Sequence, residues 1–308
     1  MKMQSSASRP LVIGLGEVLW DLLPTGKCLG GAPANFAFHA NQLGAEGLVV
    51  SAVGRDDLGV EIQERFRQLG LSAAGLRTID CPTGTVTVEI QQSQPNYTIH
   101  TGVAWDQIPY DTHLESVAGQ AAAVCFGSLG QRSEVSRKSI HAFLAATGKA
   151  CLRVCDINLR QQFFDAATVE ASLKACDVLK LNHEELPVIA QLLQFPRQVE
   201  TCIEQILFQF DLKLVVLTRG AQGSSLYGKW RTSHHAGDKV PRVADTVGAG
   251  DSFTAAIVMG LLRLEDLDRL HARAVRLASF VCTQHGATPQ IPDGLFDQLT
   301  QVAGECPA

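Results

Sequence analysis

The chain has 308 residues and a net charge of −5, with 46% hydrophobic and 19% charged residues. That is enough apolar material for one large α/β unit, and the balance is not that of a disordered chain. The acidic charge with no long basic run argues against nucleic acid or an anionic membrane as partner, and no apolar stretch approaches the roughly 20 residues of a membrane span.

The first ten residues, MKMQSSASRP, lead straight into a strand-like run, so no secretory leader is expected. From there strands and helices alternate. Leu11 to Gly16 is a buried strand, and Pro33 to Leu43 a helix with proline suited to its first turn. Val49 to Val53 is a strand, and Asp57 to Leu69 a helix ended by Gly70. Thr83 to Ile90 alternates with Val86, Val88 and Ile90 on one face, and Tyr97 to Thr101 follows across a turn containing Pro95 and Asn96. Period-two alternation means a sheet with one covered face, either an edge hairpin or a lid over a site. Ala121 to Phe126, Leu152 to Cys155, Val178 to Leu181 and Leu214 to Leu217 are short apolar runs separated by helical stretches, and the last sixty residues are helical. This is the βαβ pattern of a mostly parallel sheet between helices, in a chain with no repeat and no linker. Nine cysteines without a C-x-x-C pair read as thiols of a reducing cytoplasm, not a disulfide framework or zinc site.

Two glycine-rich segments carry the chemistry. In Asp245-Thr246-Val247-Gly248-Ala249-Gly250-Asp251 a small-residue turn precedes an apolar helix, Ala255 to Leu262. Backbone N–H groups at such a helix start, with the macrodipole behind them, form an anion cradle. Asp251 at its mouth would repel an anion unless it serves as a base toward a nucleophile attacking phosphate; the plainer alternative is a helix cap. In Leu29-Gly30-Gly31-Ala32-Pro33-Ala34-Asn35, two glycines allow close approach to a ligand or simply make a turn, and Asn35 offers a donor and an acceptor. Neither a Walker P-loop nor a G-x-G-x-x-G fingerprint is present.

Together these segments resemble the two signature motifs of the PfkB (ribokinase-like) carbohydrate kinases, over Gly30 to Gly54 and Asp245 to Val258, and the resemblance runs from Ile13 to about Ile291. It implies a ribokinase-like three-layer α/β/α domain over residues 1–308, with a mostly parallel central sheet and a small β-sheet lid formed by approximately 17–30 and 83–105. It also implies ATP and Mg²⁺ as cofactors. Asp251 is then the general base, and Gly248, Ala249 and Gly250 the anion hole around the transferring phosphoryl group.

Further residues follow by their match to the family. Asn182 and Glu185 resemble its N-x-x-E element and would organise Mg²⁺ through water, against a capping-box alternative. Thr218 and Gly220, with Gly223 in the same turn, resemble the nucleotide loop, and Ala278 and Cys282 the adenine pocket, on a stripe with Val281 and His285 that is otherwise core. Backbone around Asp245, Val247 and Gly286 matches a K⁺ site. Asp21 matches the carboxylate that binds sugar hydroxyls, beside Gly30, Gly31 and Asn35. Trp105 packs on the sugar or anchors the flap, and Arg160 reaches the sugar or γ-phosphate or makes a surface ion pair. The strings around Asp21, Gly30 and Trp105 are most similar to bacterial fructokinases; a 2-keto-3-deoxygluconate kinase, a ribokinase and a catalytically silent sugar sensor are the alternatives. The expected partners are sugar and ATP, with a homodimer through the flap as one way to cover its apolar face.

Overall fold

A computed structural model describes residues 9–91 and 94–297. Along the chain, β1 (Leu11–Leu15), β2 (Leu19–Leu23), β3 (Gly26–Gly30), α1 (Ala32–Gln42), β4 (Glu46–Gly54), α2 (Asp57–Gln68), β5 (Leu76–Ile79), β6 (Gly84–Gln91) and β7 (Gln94–Ile99) come first. Then follow α3 (Thr112–Gln120), β8 (Ala123–Phe126), α4 (Glu134–Ala146), β9 (Leu152–Asp156), α5 (Ala166–Ala175), β10 (Val178–Asn182) and α6 (Glu185–Leu192). The chain continues with α7 (Val199–Gln209), β11 (Leu214–Thr218), β12 (Ser224–Gly228), β13 (Thr232–His235), α8 (Ala249–Leu262) and α9 (Leu267–Cys282).

The large sheet has the order β13-β12-β11-β10-β9-β8-β1-β4-β5, parallel from β11 to β5 and antiparallel at β12 and β13. Successive strand residues point to opposite faces, and both faces are apolar because both are covered. Ile13, Val124, Cys155, Leu179 and Val215 pack with residues of α3 to α7. Val12, Ala123, Val154, Val178, Leu214 and Val216 pack with α1, α8 and α9. Helix α8 lies deep in that second layer, and Gly260 brings α9 against it: a Cβ there would stand 2.5 Å from Leu270 Cβ. This is the ribokinase-like three-layer arrangement.

The smaller sheet has the order β3-β2-β6-β7, with β2 and β6 parallel and the outer pairs antiparallel. Leu19 and Val86 bury against each other with Ile99 alongside. The turn is not at Pro95-Asn96: Glu89 pairs with Asn96 and Ile90 with Pro95, so both residues belong to β7. An edge strand tolerates a proline because one row of its N–H groups has no ladder partner. The hairpin β12–β13 and strand β5 had no clear sequence signal, being short and polar or half-exposed.

Candidate active site

In a parallel sheet flanked by helices, the crevice lies beyond the carboxyl ends of the strands. Here that edge gathers Glu17 after β1, Asp156 ending β9, Asn182 ending β10 and Thr218 ending β11, with Asn182 and Thr218 directly paired.

The anion turn is built from backbone. Gly248 caps α8 at φ 78°, a conformation that costs glycine least, and a Cβ there would lie 2.6 Å from the Ala287 carbonyl oxygen. A helix start leaves its first N–H groups without intrahelical acceptors; of these, the Ala249 N–H reaches the Thr246 carbonyl at 3.3 Å. Gly250 lies against a cation, since a Cβ there would stand 3.2 Å from Lys180 Nζ. Upstream, Asp245 accepts from the N–H groups of Val247 at 3.0 Å and Gly286 at 3.2 Å, which brings the three candidate cation-loop residues together.

Asp251 sits in the first turn of α8. Asn35 Nδ2 of α1 donates to its Oδ2 at 2.8 Å across 216 residues of sequence. Burial, then the Asp156 charge, pushes the Asp251 carboxyl up to about 6, opposed by the Asn35 hydrogen bond, Lys180 and Arg160. Asn35 is buried, and its Oδ1 has no hydrogen-bond partner. Gly31 caps the same helix at φ 110°, and a Cβ there would meet the Glu17 carbonyl oxygen at 2.5 Å. The Asp21 side chain lies over Gly30, where its Oδ2 would be 2.4 Å from a Cβ. Burial raises Asp21 to about 6. Asp21, Gly30, Gly31, Asn35 and Asp251 thus form one continuous wall.

Four residues lining this place, Lys180, Asp156, Thr254 and Glu17, were not picked out from sequence. Lys180 Nζ bonds Asp156 Oδ1 at 2.9 Å, with both side chains nearly buried, and Thr254 Oγ1 of α8 donates to Asp156 Oδ2 at 2.9 Å. Despite desolvation, the charges of Asp156 and Glu185 raise Lys180 and keep it cationic. Glu17 is 3% exposed and pushed up to about 7 by burial, with its own and the Ala32 N–H opposing and Asp251 reinforcing the shift. Its Oε2 is buried without a partner. A lone Lys or Glu inside an otherwise apolar run, as in Val178-Leu179-Lys180-Leu181 and Gly16-Glu17-Val18, was the available signal.

Other expected residues take different places. Asn182 ends β10 and is not in a helix with Glu185. Its Oδ1 accepts from the N–H groups of Glu184 and Glu185 at 2.8 and 2.9 Å. Glu185 Oε2 accepts from Asn182 N–H at 2.8 Å and Oε1 from Leu159 N–H at 2.9 Å, a reciprocal capping box. Thr218 lies beside them, its carbonyl accepting from His183 N–H at 2.9 Å. Gly220 and Gly223 both have positive φ, and Gly223 is required where His235 O would stand 2.0 Å from a Cβ. Helix α9 stops at Cys282, so His285 leaves the stripe and is exposed; Ala278 packs toward the α8 core, and the Cys282 carbonyl receives the Ala244 N–H at 2.9 Å. Trp105 is fully buried against Gly84 at the root of β6, with the Arg132 guanidinium 3.8 Å above its ring. Arg160 is exposed, its Nη1 donating to the Leu159 carbonyl at 3.1 Å, and its charge acts to lower Glu17 and Asp251.

Among the described residues, no helix is long and apolar enough to cross a membrane. A fructokinase of Klebsiella pneumoniae is 29% identical over 299 residues, covering 90% of this chain and 95% of that protein. The structure of a Xylella fastidiosa fructokinase with bound ATP matches at a TM-score of 0.83 and 20% identity, over 96% of this chain and 99% of that one. A double-mutant fructokinase of Vibrio cholerae in fructose, ADP and potassium ion bound form matches at 0.77 and 24% identity, over 96% and 98%. The sequence pattern of the pfkB family carbohydrate kinases matches residues 25–294. Because that span takes in the Gly30–Asn35 segment, the flap strands β6 and β7 and the anion turn together, the chain belongs to the PfkB family of carbohydrate kinases.

Proposed function

We propose that the protein transfers the γ-phosphate of ATP to fructose, giving fructose 6-phosphate, in a reducing cytoplasm. The observation that carries the reading is the 2.8 Å bond from Asn35 to Asp251, which joins the sugar segment to the anion turn. It engages Oδ2 and leaves Oδ1 to take the proton of the attacking hydroxyl. As that proton leaves, the sugar oxygen bonds to the γ-phosphorus, the bond from γ-phosphorus to the β,γ-bridging oxygen breaks, and ADP departs. A carboxyl near 6 is still ionised at neutral pH and more basic than an ordinary aspartate. Asp21, with the backbone of Gly30 and Gly31, accepts the sugar's hydroxyls, and the Gly248–Gly250 turn with Lys180 faces the phosphoryl oxygens.

Mg²⁺ neutralises β- and γ-phosphate oxygens when bound with the triphosphate. Among the described residues no group of three or more His, Cys, Asp or Glu side chains could hold a metal ion, and the oxygens of Asn182 and Glu185 already accept backbone N–H bonds. These residues fit Mg²⁺ only through water, with the phosphates as its main ligands. The turn joined by Asp245, Val247 and Gly286 is where we place K⁺, by analogy with the Vibrio enzyme.

The four-stranded sheet is read as a lid that closes over the sugar and excludes water. A dimer contact would need Val86, Val88 and Ile90. Val86 is buried on Leu19 and Ile99, and the side chains of Val88 and Ile90 lie outside the described residues.

The test is ADP release with Mg²⁺-ATP and fructose, 2-keto-3-deoxygluconate, ribose or a nucleoside, with Asp251→Asn alongside. Fructose should turn over, and the variant should lose about 10²–10⁴-fold in kcat. Turnover on the sugar acid alone would assign Arg160 to its carboxylate. Sugar binding without turnover would make the protein a sensor, and an active Asp251→Asn would remove the base.

A further inference from the structure

We propose that Arg132 is a positioning residue that couples the four-stranded sheet to the 157–163 loop, which carries Arg160. The inference rests on reading that sheet as the lid and Arg160 as facing the reaction.

Arg132 follows β8 and is not part of the crevice wall, yet both roots of the flap converge on it. Its Nε donates to Asp106 Oδ1 at 2.7 Å, and its Nη2 donates to Asp106 Oδ2 at 2.9 Å and to His100 O, just past β7, at 2.6 Å. Asp106 Oδ2 also accepts from the N–H groups of Gly102 and Val103 at 2.9 and 3.2 Å, which pins the strand's exit. The other root, Gly84 at the start of β6, lies on the Trp105 ring: a Cβ there would be 2.4 Å from Nε1. That ring is covered by the guanidinium at 3.8 Å, whose second stacking contact is Phe163 at 4.8 Å.

Phe163 belongs to the loop of Arg160, and its N–H closes on the Arg160 carbonyl at 3.0 Å. Two non-glycine residues there hold left-handed backbone, Asn158 at φ 44° and Gln161 at φ 48°. Such a conformation persists only where surroundings hold it. The holders are Glu185 on Leu159 N–H, Ser128 donating from Oγ to Asn158 O at 3.4 Å and from its N–H to Ile157 O at 3.0 Å, Gln161 Nε2 donating to Tyr97 O of β7 at 2.8 Å, and the Arg132–Phe163 stack. The last two reach the flap.

Stability alone does not call for an arginine here. Both side chains of the Arg132–Asp106 pair are almost fully buried, and Arg132 Nη1 is buried without a partner. A buried ion pair with an orphaned donor is a weak source of stability, and apolar side chains in place of both partners would fill the same space. What apolar residues would lack is the three-way tie among the ion pair, the His100 carbonyl and the two rings.

The experiment compares wild type, Arg132→Met and Phe163→Leu by hydrogen exchange without ligands, and follows fructose kinetics through an Arg132/Arg160 double-mutant cycle. Phe163→Leu keeps the ion pair and an apolar side chain at that place should Arg132→Met fail to fold. Exchange is expected to rise together in 84–91, 97–106 and 157–163. The loss in kcat/KM caused by Arg160→Gln is expected to shrink at least about threefold in the Arg132→Met background. Faster exchange of the flap with 157–163 unchanged, or an equal Arg160→Gln loss in both backgrounds, would overturn the coupling. If wild type phosphorylates no sugar, the kinase reading fails while the exchange comparison still decides this one.

Discussion

Glu17 and Asp251 are two desolvated carboxyls on one crevice, and they differ in what compensates them. Asp251 has Asn35, Lys180 and Arg160, whereas Glu17 has two local N–H groups, Arg160 and an unpartnered Oε2. For Glu17 the folded value of about 7 stands above the ordinary 4.5. The unfolded chain therefore releases this proton first, and stability falls as pH rises from about 4.5 to 7. Glu17→Gln should accordingly be more stable than wild type at pH 8 by roughly 3 kcal/mol, with the gain fading toward pH 4.5, as read by urea unfolding at both pH values. The glycine turns and the place of Asp251 in the first turn of α8 were legible in the sequence because their residue types are restricted by backbone geometry and charge. Glu17 and Lys180 were not, because an isolated charge in an apolar run acquires meaning only from what packs on it.

At the level of elements, the N-x-x-E string illustrates how one spacing serves two readings. Three residues apart, Asn182 and Glu185 satisfy each other's backbone N–H groups across a strand-to-helix junction, and Glu185 also holds Leu159 at the start of the Arg160 loop. Asn182→Ala should thus cost about 1 kcal/mol of stability by denaturant unfolding, the usual loss of a helix cap. A change confined to the KM for Mg²⁺-ATP would instead mean that the side chain acts on the metal. Helix and strand positions followed from periodicity nearly to the residue for α1, α2 and β1. The β2–β3 arm was less visible, since its Gly26-Lys27-Cys28 stretch is exposed and has no apolar face to show. His285 was misplaced because apolar spacing continues past Cys282 while the backbone turns at Thr283 and Gly286.

Across the whole molecule, the crevice lies between two sheets that differ in how they are held. The large sheet is covered on both faces; in the smaller one, Trp20, Leu22 and Leu29 of β2 and β3 pack with residues of α1 and α2, whereas β6 and β7 rest on a short apolar contact among Leu19, Val86 and Ile99 and on the Trp105–Arg132 anchor. Fewer buried contacts mean easier local opening. Fructose should therefore slow hydrogen exchange in β2, β6 and β7, with ATP alone giving little protection there. Equal protection by ATP alone would place the sugar elsewhere.

The sequence by itself determined the layered α/β architecture, because apolar runs of strand and helix length can be buried in few ways, and it marked the two glycine segments. Only the tertiary structure decided that Asn35 meets Asp251 over 216 residues, that Trp105 is buried beneath the Arg132 guanidinium, and that Arg132 also stacks on Phe163 of the Arg160 loop. Those outcomes depend on desolvation and on contacts between distant segments, which arise only when the layers close on one another.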